Sequence, residues 1–304
     1  MLRTLQDKIL KLKQEKDIAI LAHSYQSPDI LEIADCKGDS YFLSVAAKDI
    51  AAKTVIMCGV RFMAETVKML SPEKTVILPV ENAACPMAEQ ITPERVLQFK
   101  EEHPDYKVVA YVNTTASLKA VCDVCVTSSS ALKIVGKIKE KNILFIPDKN
   151  LGSYVKQNLP DKNILLWDGY CPVHNSVSEE DCLAAKKAHP NAKVLMHPEL
   201  PAEVLRHADL VGSTADILSY ARSSEEDCVI GTETSIVDTL KLEKPDCNYY
   251  LLSKRLICPD MRITTLADVY HAMLGKGGAV IELDEDIRLK AKRTIDEMIR
   301  LGEA

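Results

Sequence analysis

Three Cys-Pro pairs recur along the 304-residue chain at nearly constant intervals: Cys85-Pro86, Cys171-Pro172 and Cys258-Pro259. The separations between cysteines are 86 and 87 residues. Each pair follows a short apolar run (Val76 to Val80, Ile164 to Trp167, Tyr249 to Leu252) and so falls in a loop just past a predicted buried strand. Thiolates bind soft metals and iron–sulfur clusters. A lone buried cysteine packs as a small hydrophobe, and that reading covers Cys36, Cys58, Cys122, Cys182, Cys228 and Cys247, none of which recurs in all three units. It fits the trio poorly, because a loop after a strand is not a core position. Three protein ligands leave one position open, on a tetrahedral zinc or on one corner of a cubane. The cluster is the preferred reading, since zinc sites with three cysteines usually contain a close pair. Cys122 and Cys125 have C-x-x-C spacing without a second pair or a matching histidine, and read as packing.

Other polar groups align on the same period. His23, Tyr111 and His197 fall at one repeat position, Tyr25, Asn113 and Glu199 at another. Ser40, Ser128 and Ser213 follow the first set by 17, 17 and 16 residues, with Asp35, Asp123 and Asp209 shortly before them. His23, His174, His197, Tyr25, Tyr111 and Glu199 are the acid–base candidates. Glu199 beside His197 suits proton abstraction in a closed pocket. The other four histidines (His103, His189, His207, His271) read as helix-surface or helix-end residues. Ser40, Ser128-Ser129 and Ser213-Thr214 are predicted at helix starts, where such residues are first of all N-caps. Exposed N–H groups at the same places also bind phosphate and carboxylate. Arg61 and Lys149 occupy matching loops and are open between anion binding and solvent. Gly275-Lys276-Gly277-Gly278 reads as a turn.

What positions these groups is a long repeat, the first thing to seek in a chain of this length. Short apolar strands alternate with helices, which predicts parallel sheet with both faces covered. The expected fold is α/β: three homologous αβα domains with small parallel sheets, in pseudo-threefold arrangement around a central site. The expected boundaries are residues 1–87, 88–174 and 175–260, with C-terminal helices over 261–304 packing on the repeats. Ligands bind beyond the carboxyl ends of such strands. All the aligned polar residues are expected just after strands, so that three mouths face one axis.

Composition narrows the class. Hydrophobic residues make up 47% and charged residues 27%, with no run long enough to span a bilayer. A net charge of −6 and a pI near 5.7 provide no footprint for nucleic acid. The stretch from Met1 to Gln14 is charged and amphipathic, a helix rather than a signal peptide. Ten cysteines without a secretory signal point to a reducing, cytoplasmic setting and to metal or catalysis.

The motifs taken together resemble the quinolinate synthase family (NadA type) over nearly the whole chain. They are His23-Ser24-Tyr25-Gln26, Gly38-Asp39-Ser40, Phe62-Met63-Ala64-Glu65, Cys85-Pro86-Met87-Ala88, Tyr111-Val112-Asn113, Asp148-Lys149-Asn150-Leu151-Gly152, Cys171-Pro172-Val173-His174, His197-Pro198-Glu199 and Gly212-Ser213-Thr214. The resemblance implies three αβα domains around one 4Fe–4S cluster held by Cys85, Cys171 and Cys258. It implies condensation of iminoaspartate with dihydroxyacetone phosphate to quinolinate, in de novo NAD biosynthesis, with the open iron as Lewis acid. His23, Ser40, Tyr111, Val112, Asn113, Ser128, His197, Pro198, Glu199, Ser213 and Thr214 would bind substrate, and Tyr25, His174 and Glu199 would move protons. L-aspartate oxidase or aspartate dehydrogenase would supply iminoaspartate to a monomer or homodimer, with no membrane or nucleic-acid partner. One departure is Ser24, where the family usually has asparagine; strand alternation points it away from the site. Two rival readings stand beside this one: an iron–sulfur lyase of the dehydratase type, and a zinc-bound structural module.

Overall fold

The computed structural model describes residues 2–303. Twelve strands make three four-stranded parallel arrays. The first holds β1 (Ile18–His23), β2 (Cys36–Gly38), β3 (Thr54–Cys58) and β4 (Thr75–Leu78). The second holds β5 (Lys107–Tyr111), β6 (Val124–Val126), β7 (Asn142–Ile146) and β8 (Asn163–Leu166), and the third β9 (Lys193–Met196), β10 (Leu210–Val211), β11 (Cys228–Gly231) and β12 (Tyr249–Leu251). Within each array the strands lie in the order second, first, third, fourth. The same order in three sheets is the structural form of the sequence repeat. The central strands are almost wholly buried, because helices cover both faces, which is why they are apolar without alternation. In this strand order the crevice opens beyond the carboxyl ends of the first and third strands.

The aspartates that recur with the repeat lie at the opposite end from that crevice. Asp35, Asp123 and Asp209 each precede the second strand of their unit, not follow it. Each accepts the amide of the first strand, from Ile20 (2.7 Å), Val108 (2.8 Å) and Val194 (2.8 Å). Their own amides donate back to the carbonyls of the same three residues. They therefore pin the sheet and take no part in the site, which corrects the expectation that every aligned polar residue follows a strand. A lysine repeats alongside them. Lys13, Lys100 and Lys186 donate to the carbonyls of Ile33, Val121 and His207 at 2.8, 3.2 and 2.9 Å.

Beyond the third array, the helix Leu266–Met273 packs on the helix Leu2–Lys16 and on β3, burying Leu266, Val269, Ala272 and Met273. The final helix, Glu285–Glu303, crosses between the first and second arrays. Its Arg288 donates to the Met69 carbonyl (3.2 Å), its Thr294 meets the Cys125 thiol (3.2 Å), and Lys137 reaches the Leu301 carbonyl (2.9 Å). Cys122 donates to the Leu118 carbonyl, so this pair packs, as its isolation in the sequence implied. A two-residue strand, β13 (Ala279–Val280), pairs antiparallel with β4. It covers an otherwise open sheet edge, and two residues are too few to show any periodicity. Gly278, at φ 79°, makes the turn into it; a Cβ there would stand 2.8 Å from the Leu78 carbonyl. One continuous core joins the first two arrays and the last helix, whereas the third array has cores of its own. Among the described residues no helix is long and apolar enough to cross a membrane.

Candidate active site

The three crevices share one cavity of about 340 Å3. Each unit supplies the residues that follow its strands. After the first strands come His23 and Tyr25, Tyr111 to Asn113, and His197 and Glu199; after the second, Ser40, Ser128 and Thr214; after the fourth, Cys85, Cys171 and Cys258, with His174 just beyond. Thirteen of the residues singled out in the sequence thus line one space, together with Val112. Pro198 and Ser213 do not: Pro198 lies in the turn that closes from Leu200 to the His197 carbonyl, and Ser213 caps the helix Thr214–Ser223 through a reciprocal pair with Asp216. Ser40 is the first residue of its helix, which Asp39 caps, and Ser128 stands two residues before the N-cap Ser130. Ser24 lines a separate surface crevice, as strand alternation requires. Arg61 and Lys149 stay outside, on the Glu81 carbonyl and the Asp168 carboxylate.

A hydrogen-bonded chain runs through the cavity wall and joins all three units. The Tyr25 hydroxyl lies 2.7 Å from Thr214 Oγ1 and 2.6 Å from Thr232 Oγ1. Thr232 Oγ1 lies 3.2 Å from His174 Nε2, and His174 Nδ1 lies 2.9 Å from the Glu199 carboxylate. Tyr111 is hydrogen-bonded to the same carboxylate. Burial alone would push the Glu199 carboxyl up, but His174, His197 and the bonds from His174 and Tyr111 outweigh it and hold it below the ordinary value. The two tyrosines are pushed up, first by burial and then by the Glu199 charge, so both hydroxyls keep their protons.

His23 and His197 are built alike. In each, the amide two residues on donates to the ring Nδ1, from Tyr25 at 3.1 Å and from Glu199 at 3.3 Å. Burial lowers both to about 4, so both are neutral near pH 7. A neutral ring whose Nδ1 accepts must carry its hydrogen on Nε2. Each imidazole is therefore a single, fixed donor.

The cysteines pose the opposite problem. Burial pushes the Cys85 thiol to about 12 and Cys258 to about 11, and Cys171 well above its ordinary value. Such thiols ionise only against a bound cation, which deprotonates them outright. All ten cysteines are free, so no disulfide competes for the three. Cys171 Sγ also lies 3.3 Å from His174 Nδ1, and the ligand atoms of Cys171, His174 and Glu199 fall within 4.8 Å of one another. The donor set fits a metal cofactor.

Several residues in this region went unread in the sequence or, like Asp148, were read there only as part of a motif. Thr232 completes the proton chain, Glu233 and Asp148 are buried carboxylates behind the cysteine loops, and Arg255 is the one lysine or arginine among the lining residues. A signal existed for three of them: Asp148, and Thr232 with Glu233, follow the third strand of their unit. Lys119 is fully buried and donates to the carbonyls of Val112 (2.7 Å) and Thr114, under the loop that carries Tyr111 and Asn113. Its isolation in the sequence concealed it.

Comparison with known proteins agrees with this arrangement. The family model described as "Quinolinate synthetase A protein" matches residues 7–300. The chain is 46% identical over 299 residues to a quinolinate synthase of Clostridium perfringens (strain SM101 / Type A), covering 98% of this chain and 99% of that one. It is 46% identical over 296 residues to that of Clostridioides difficile (strain 630), covering 97% of each. Against the quinolinate synthase of Caldicellulosiruptor bescii the identity is 45% over 302 residues, covering 99% of each.

Proposed function

The chain belongs to the quinolinate synthetase A family, the quinolinate synthases of NAD biosynthesis, and we propose that its central cavity is where iminoaspartate and dihydroxyacetone phosphate condense, with loss of phosphate and water. The observation that carries the reading is the meeting, in one buried space, of a cysteine from each repeat with a proton chain drawn from all three.

Cys85, Cys171 and Cys258 would hold a 4Fe–4S cluster. When bound, it supplies a Lewis-acidic iron with a position free for a substrate oxygen or nitrogen. The remaining work falls to the chain. His23 and His197 donate from Nε2 to carboxylate oxygens of the substrate, and the Asn113 amide and the hydroxyls of Ser40, Ser128 and Thr214 complete its binding. Both substrates are anions entering a cavity that already contains Glu199, Glu233, Asp39 and Asp260. Arg255 at the rim is the fixed charge that offsets this. Its Nη1 donates to the Ser176 carbonyl (3.1 Å), and its side chain is 63% exposed. Glu199, ionised and oriented by His174 and Tyr111, takes the proton from substrate carbon. Tyr111, hydrogen-bonded to Glu199, relays that proton to a departing hydroxyl and so keeps its own. Tyr25 is held by two threonines and exchanges protons with Glu199 through Thr232 and His174. Walls built from buried strand ends exclude bulk water, which keeps an imine from hydrolysing. The setting is the reducing cytoplasm, where free thiols and such a cluster persist.

A second reading rests on the Cys171–His174–Glu199 group alone, which could hold one zinc ion. Anaerobic purification separates the two. About four irons with matching sulfide and a brown chromophore, lost in Cys171→Ala, together with quinolinate formed from the two substrates, support the cluster enzyme. A colourless protein with one zinc, or a cluster indifferent to Cys171, overturns it.

A further inference from the structure

Two of the three cysteine loops are tied down by the same device. Asp148 follows β7 and is fully buried. Its Oδ1 accepts the Leu151 amide (2.7 Å) at the start of the helix Lys149–Asn158, and its Oδ2 accepts the amide of Cys171 (3.0 Å). Glu233 follows β11 and is also fully buried. Its Oε2 accepts the Ser235 amide (2.7 Å) at the start of the helix Ser235–Glu243, and its Oε1 accepts the amide of Cys258 (3.3 Å) and Arg262 Nε (2.8 Å). In both units one carboxylate oxygen is spent on the helix and the other on the cysteine. The first unit has no such carboxylate. Val60 stands before the corresponding helix, Arg61–Leu70, and that helix holds the loop through the Arg61 amide on the Ala83 carbonyl (2.9 Å) and Arg61 Nη2 on the Glu81 carbonyl (3.3 Å), both short of Cys85.

Stability alone does not explain the pair. A buried carboxylate beside a thiolate costs both desolvation and repulsion, which the Arg262 ion pair offsets only at Glu233, and the first unit builds the same turn with Val60 in that place. Outer groups that fix the orientation of metal ligands are where such a cost recurs. We propose that Asp148 and Glu233 are positioning residues for the Cys171 and Cys258 thiolates, so that two cluster ligands are aimed by the protein in advance and Cys85 adjusts to them. This rests on the reading that the three cysteines hold the cluster.

Serine caps a helix about as well as aspartate but is too short to reach the cysteine amide as well. Asp148→Ser therefore keeps the helix start and removes only the tie to Cys171. The experiment follows iron loss from cluster-loaded protein to a chelator, the electron paramagnetic resonance spectrum of the reduced cluster, and the urea midpoint. Asp148→Ser and Glu233→Gln should lose iron about 10–100-fold faster than wild type, the range by which removing groups that hold metal ligands weakens metal binding. Their spectra should shift, while the Asp148→Ser midpoint stays near wild type. Val60→Ala should change neither rate nor spectrum. Wild-type rates and spectra in folded Asp148→Ser would overturn the proposal, as would equal acceleration by Val60→Ala. Wild-type protein that takes up no iron, or Cys171→Ala that keeps it, would bring down the cluster reading itself.

Discussion

On Glu199 two residues converge that lie far from it and from each other along the chain: His174 and Tyr111, from different parts of the preceding unit. A base held ionised in a dry pocket is useful only if its shape and its charge are both kept. Glu199→Gln preserves the first and removes the second, so kcat should fall about 10²–10⁴-fold, the usual worth of a positioned acid or base, with a smaller change in KM. Steady-state kinetics with both substrates would check this. His23 and His197 make a prediction about pH. Their ordinary value is 6.5 and burial lowers each to about 4. Between those limits the unfolded chain binds protons that the native state does not, so native stability rises with pH and is lost as pH falls through the window. The loss is roughly 3 kcal/mol per imidazole at the acid end. Urea midpoints measured from pH 7 to 4 should fall, and His23→Gln should flatten the curve.

A single loop, Tyr111 to Thr114, brings two substrate-facing residues to the cavity, and its anchor lies beneath it. Lys119 spends its ammonium on the Val112 and Thr114 carbonyls in a fully buried position, where desolvation lowers its pKa. Lys119→Met keeps the volume and leaves the Thr114 carbonyl without a donor, while the Val112 carbonyl retains only the Thr114 amide (2.8 Å). The orphaned acceptor costs about 1–3 kcal/mol. The urea midpoint should drop, and the affinity for substrate should fall with it, because the loop loses its fixed shape. Unchanged KM in a destabilised but folded variant would separate the loop from the anchor.

Across the whole molecule the repeat is a statement about energetics as well as shape. Asp35, Asp123 and Asp209 make the same bond, each to an amide fifteen residues earlier. Alanine at any one of them should cost about 1 kcal/mol, the net worth of an ordinary hydrogen bond, and should leave kcat untouched. Comparable urea shifts in the three variants would mark the units as equivalent in construction. The first two units share a core and the final helix, whereas the third has its own. Heat or urea should therefore expose the third unit's buried Cys182 and Cys228 to alkylation before Cys125, which Thr294 of the last helix covers.

The chain's period alone determined the three arrays, the loop positions of Cys85, Cys171 and Cys258, and the alignment of His23, Tyr111 and His197. Strand length, apolarity and loop placement are local properties, and a repeat multiplies a weak local signal by three. The same alignment could not tell Ser40 and Thr214, which face the cavity, from Ser213, which caps a helix, or tell the site residues from the aspartates at the far end of the sheets. Which end of a strand a residue occupies depends on one or two positions of register, and those are decided by packing. What Thr232, Asp148, Glu233 and Lys119 bond to was legible only in three dimensions, because a hydrogen bond between units, or a buried charge beneath a loop, is set by packing and not by spacing along the chain. Tertiary structure also decided that Glu199 is ionised and that His23 and His197 are not, since burial and neighbouring charge set protonation and neither is a property of sequence.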